Sequence, residues 1–212
     1  GKAAAEGKYR QTDEAQKQVQ GLGHGTPFCA QKQTCCQREE KLQGELLRLC
    51  TSYGMLESTL LSTDDINDLW HDTLAPEYVA DAVTQIQDYP TVSVAWAAYL
   101  GMAVAHGWDK DWEKCKAAEY KSYYGNDGFD DMDEHIIRDI IGLPLDSDEA
   151  KNIEMMIHRM AQTTVNLIRH EQIEPQSPMA FHVFARAVKV MFRMGAALQL
   201  KRLGYKFEKM SL

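Results

Sequence analysis

Residues 91–108 read TVSVAWAAYLGMAVAHGW, eighteen consecutive positions without a charge. Pro90 stands before the run, Gly107 near its end, and Asp88 and Asp109 on either side. A helix that crosses a bilayer needs about 20 strongly apolar residues and favours basic flanks. Here the flanks are acidic and the filling is rich in alanine. A helix apolar around its whole circumference is then one enclosed by protein. The run therefore predicts an all-α, multi-helix bundle around a central apolar helix at about 91–107. Within it Trp96, Leu100 and Val104 should be almost fully buried.

The flanking sequence supplies amphipathic partners, and no stretch alternates with a period of two. From about Thr34, Leu42, Leu46, Leu47 and Cys50 mark one face of a first helix. Ser62, followed by Asp64 and Asp65, is expected to cap a short second helix through Ile66, Leu69 and Trp70. Pro76 and Glu77 open a third, with Val79, Ala82, Val83 and Ile86 together; Pro90 ends it and Thr91 caps the central run. Asp109 or Asp111 starts the next helix, and Asp130 to Asp133 make an acidic beginning for Ile136, Ile137, Ile140 and Ile141 before Gly142 stops them. The last third reads as an antiparallel hairpin of helices at about 148–170 and 178–203, because the link between them is short. Asp146 and Glu149 cap the first of these and Ser177-Pro178 the second. Gly195-Ala196-Ala197 allows a neighbouring helix to approach closely.

The N-terminal segment differs from the rest. Eight of the fourteen glutamines fall between Gln11 and Gln43, and before Lys41 the large apolar residues are Tyr9, Val19, Leu22 and Phe28. Gly21, Gly23, Gly25 and Pro27 interrupt a short helix expected at 10–20. Such a segment buries too little apolar surface to offset its ordering entropy. The organisation expected is a polar, Gln-rich arm at 1–40, leaning on the body or a partner chain, and a helical bundle domain at 41–212. A formal charge of −8 speaks against nucleic acid or an anionic membrane as partner. Five cysteines without a disulfide-framework spacing point to a reducing, cytoplasmic setting. The chain begins on Gly1 rather than Met, so the lack of a signal sequence says nothing about export.

Three residue sets could carry function. His182, Arg186, Lys189 and Arg193 recur at helical spacing, as an anion- or partner-binding stripe or as a solvated face paired with carboxylates of neighbouring helices. Trp108, Trp112, Tyr120, Tyr123 and Tyr124, with Phe129 just beyond, form an aromatic pocket or interface, or pack over the end of the bundle. His24, Cys29, Cys35 and Cys36 gather soft metal ligands, but their spacing fits no zinc motif and free thiols are the simpler reading. His106, beside Gly107, suits the negative end of the central helix, where its ring can bond the last free carbonyls. Asp68 and His71, Asp131 and His135, and Glu154 and His158 are carboxylate–histidine pairs. None is the inward Glu-x-x-His that a di-iron bundle repeats.

No nucleophile, phosphate loop or calcium loop stands in its required context. The expectation is a helical interaction or ligand-binding protein with no chemistry of its own. It needs no cofactor and acts as a homo-oligomer or with a protein partner. The alternatives are a metalloprotein or enzyme with a dispersed His/Asp/Cys site, and a helical ligand-sensing regulator.

Overall fold

The computed structural model describes residues 27–206, with side chains from Thr34 onward apart from Cys35. The helix expected at 10–20, the contacts of Tyr9, Val19, Leu22 and Phe28, and the grouping of His24, Cys29 and Cys35 lie outside what is described. The chain divides into two units between Gln37 and Arg38, and the bundle belongs to the second.

Helix α1 runs Pro27–Ser52, α2 Asp64–Leu69, α3 Ala75–Gln85 and α4 Pro90–Lys110. After these come α5 Trp112–Lys116, α6 Met132–Glu134, α7 Asp148–His170 and α8 Pro178–Arg202. Wide π turns at Trp70–Leu74 and His135–Ile140 join α2 to α3 and extend α6. The described residues form no strand, only a single bridge between Gly125 and Gly128.

Two prolines act differently from their sequence reading. Pro27 begins α1 instead of only interrupting the arm, and Pro90 begins α4 instead of ending α3. The reason is the same at both: the first helical N–H has no partner inside the helix, so a residue lacking it loses nothing there. Thr91 accordingly sits inside α4 and Tyr89 occupies the cap. The side-chain caps also move by a residue. Thr63, not Ser62, accepts from Ile66 N at 3.2 Å, and Ser147, not Asp146, accepts from Ala150 N at 3.2 Å. Asp111 and Ser177 cap α5 and α8 as expected, at 3.1 Å each.

Helix α4 is the centre. Residues 97–106 are buried without a break, Leu100 and Val104 at zero exposure. Trp96 departs from the expectation: it is half-buried, because its flank of α4 borders an open groove. The closest neighbour is α8, across small residues. A Cβ placed on Gly101 would stand 2.0 Å from the Phe192 carbonyl oxygen, and one on Gly195 would stand 1.8 Å from that of Ala98. The two backbones therefore touch. Gly195 meets Ala98, Gln199 meets His106 and Tyr205 meets Trp108, so the two helices run in the same direction.

Helix α7 also packs on α4 and is antiparallel to α8. Arg202 near the end of α8 reaches Glu149 at the start of α7, at 2.7 Å. At the other end Arg38 of α1 holds Glu171 at 2.7 Å and donates to Met179. The expected hairpin is thus present, with α4 wedged against both of its arms. Helix α1 lies against the hairpin through side chains: Leu42, Leu46 and Cys50 are buried, with Cys50 Sγ 3.4 Å from Met160 Sδ. Among the described residues no helix is long and apolar enough to cross a membrane.

Candidate functional site

The flank of α4 left open by α8 borders α7, and a groove of about 760 Å³ runs between them. The α4 wall is Thr91, Val92, Ala95, Trp96 and Tyr99, one helical face at spacings of three and four. Trp96 is fixed by its indole N–H, which donates to the Phe129 carbonyl at 2.7 Å, and by an edge-to-face contact with Tyr99 at 5.6 Å. Helix α7 contributes Lys151, Glu154, Met155, His158 and Arg159, on the polar side of its apolar stripe. Asp133 of α6 also lines the groove.

The deep polar groups are Tyr99 and Asp133. Tyr99 is 3% exposed as a residue, and it lines the groove beside Trp96. Burial holds that phenol well above its ordinary range, with the charges of Asp133 and Glu154 acting in the same direction. Burial likewise raises the Asp133 carboxyl to a pKa of about 6, against the pull of the Glu134 backbone N–H. A tyrosine hydroxyl on an apolar helix ordinarily bonds a protein group or water. Here it faces the groove. Lys151, Glu154, His158 and Arg159 stand exposed on the rim, with the Arg159 guanidinium 5.1 Å above the Tyr53 ring.

Three cations of the basic stripe converge on the Glu39 carboxylate. Arg186 and Lys189 reach Glu39 of α1 at 2.7 and 2.8 Å, and Arg193 lies 3.9 Å from it. Burial alone would raise the Glu39 carboxyl, but Lys189 and Arg186 outweigh it and hold the carboxyl below its ordinary value. His182 stands apart, exposed and edge-on to Phe181.

The aromatic set does not gather in one place. Tyr120 and Tyr124 both donate to Asp81 of α3, Tyr120 at 3.0 Å. Tyr123 is buried beside Cys115. Trp108 packs on Tyr205 and donates to Asp65 at 3.3 Å, beside a hollow of about 220 Å³, while Trp112 packs half-buried on the core.

His106 turns inward to Gln199, which donates to its Nδ1 at 3.2 Å, and does not bond the last carbonyls of its helix. Desolvation lowers its pKa. His71 bonds Asp72 and His135 bonds Asp139, each at 2.9 Å, not the Asp68 and Asp131 that spacing offered. Cys36 is exposed, Cys50 and Cys115 are buried, and all three are free. Among the described residues no three His, Cys, Asp or Glu side chains gather as metal ligands.

Sequence reading passed over Tyr99 and Asp133. Asp133 looked like one more acid at a helix start, and Glu154 with His158 like a pair off the apolar stripe. The available signal was Tyr99 itself, a hydroxyl in the middle of a run that otherwise had to be dry. No family model, curated protein or solved structure matches the chain.

Proposed function

We propose that the chain is a helical ligand-binding protein without chemistry of its own, and that the groove between α4 and α7 holds a small organic molecule. The observation that carries this reading is the groove itself, where Tyr99 and Asp133 join an apolar wall of Val92, Ala95 and Trp96. Ligand pockets combine such a wall with a few convergent polar groups. A thermal-shift screen of small molecules against wild type, Trp96→Ala and Tyr99→Phe tests it. Ligands that stabilise wild type and lose their effect in both variants support the groove. Ligands that stabilise all three proteins equally sink it.

A second reading is an enzyme with a dispersed site, favoured by Asp133, whose carboxyl at about 6 lies in the range suited to general acid–base work. The proposed setting is the cytoplasm, where the buried thiols of Cys50 and Cys115 stay reduced. The proposed assembly is a homodimer, a state that sedimentation reads directly. The acidic charge supports a role away from nucleic acid.

A further inference from the structure

We propose that the α4–α7 groove takes an amine carried on an apolar body, with its ammonium group at Asp133 and Tyr99 and its body against Trp96. The proposal rests on the groove being the ligand site and adds the class of molecule. An ammonium offers three N–H donors and accepts none. The groove supplies three oxygen acceptors of matching kind: the Asp133 carboxylate, the Tyr99 hydroxyl oxygen and, nearer the rim, the Glu154 carboxylate. All three residues line the same groove, Tyr99 from α4, Asp133 from α6 and Glu154 from α7.

Depth decides the sign of charge. Asp133 is partly enclosed, and Tyr99 is enclosed almost completely. The opposing cations are peripheral. Lys151 and His158 are exposed on α7, and Arg159 sits over Tyr53. Flexible rim side chains move into solvent at little cost, whereas Asp133 has no such escape. An anionic ligand reaching the floor would meet the Asp133 carboxylate there. A cation replaces the water that Asp133 loses. Val92 and Ala95 continue the apolar wall one turn back along α4, giving the body of the ligand a surface of two turns.

The test uses the full chain in phosphate buffer, free of competing amines, and three probes with one aromatic body: phenethylamine, 2-phenylethanol and phenylacetate. Titration calorimetry should show phenethylamine binding at least tenfold more tightly than the other two. Asp133→Asn, nearly isosteric with the wild type, should abolish that preference and leave 2-phenylethanol unchanged. Tyr99→Phe should weaken the amine several-fold, and circular dichroism checks that both variants are folded. Tighter binding of the alcohol or the carboxylate, lost in Trp96→Ala, would overturn the amine assignment and leave the groove standing as the ligand site. Binding of all three probes with no effect of Trp96→Ala would overturn both. If none of the three binds to wild type, the amine assignment falls.

Discussion

Asp133 and Glu39 are both partly enclosed carboxylates, and their surroundings push them in opposite directions. Asp133 has lost water without gaining a cation, so its folded pKa of about 6 lies above the ordinary 3.8. The folded chain then holds the proton more tightly than the unfolded one, and this group costs stability as the pH rises through that window. Asp133→Asn should leave the melting point unchanged at pH 3, below both pKa values. At pH 8 it should raise stability by on the order of 1–3 kcal/mol. Equal effects at both pH values would show that the carboxyl is not desolvated. Glu39 behaves in the opposite way: its folded pKa is depressed, so its contribution is present above its ordinary 4.5 and is lost as the pH falls below. Glu39→Gln should cost about 1.5–3 kcal/mol at pH 7, the range for hydrogen bonds to charged groups, because it removes the charged acceptor that Arg186 and Lys189 share. The penalty should fade toward pH 3, and urea titrations at the two pH values read it. His182→Ala, on the same stripe but exposed and away from Glu39, should change stability by less than about 0.5 kcal/mol. These residue-level differences were not legible in the sequence. The stripe was visible as a period, but its acceptor lies 147 positions from Arg186. Nothing in a periodic pattern says which distant carboxylate a cation will meet.

At the scale of elements, the junction of α4 and α8 is the most demanding contact in the bundle. Gly101 and Gly195 each lie where a methyl group would overlap a backbone carbonyl, and backbone cannot swing aside as a long side chain can. Gly101→Ala should therefore cost about 3 kcal/mol or more, the upper end of overpacking penalties. Gly44, inside α1, is the control, since a Cβ there meets nothing within 4 Å. Gly44→Ala should stabilise by about 0.5–1 kcal/mol, the ordinary helical preference for alanine. Chemical denaturation of the pair should show opposite signs, and two changes of the same sign would place the close contact elsewhere. Much of this was legible beforehand. Gly195-Ala196-Ala197 announced a close approach, the uncharged run announced a central helix, and the short 171–177 link announced the hairpin. What escaped was local. Prolines at the starts of α1 and α4 read as breaks, because the same missing N–H ends one helix and suits the first turn of the next. The π turns at 70–74 and 135–140 left no mark, since Ile136, Ile137, Ile140 and Ile141 also fit an α-helical period. The groove escaped as well, because its floor comes from α4 and α6, segments that are neighbours only after folding.

For the whole molecule, α4 is the helix encased by protein, with the groove opening on its flank toward α7. Helices α3, α7 and α8 each pack on it, and α8 does so backbone to backbone. Most of the other elements can be frayed without exposing α4, but α4 cannot be exposed without dismantling the core. Local openings in a protein span from nearly nothing up to the full unfolding free energy, and the most enclosed segment marks the upper limit. Native-state hydrogen exchange followed residue by residue is the most direct measurement. The amides of residues 97–106 should be the slowest in the chain and should exchange only through global unfolding, with the same denaturant dependence as the equilibrium transition. Exchange of these amides ahead of those in α7 and α8, or at a rate independent of denaturant, would contradict a central enclosed helix and with it the architecture on which the groove depends.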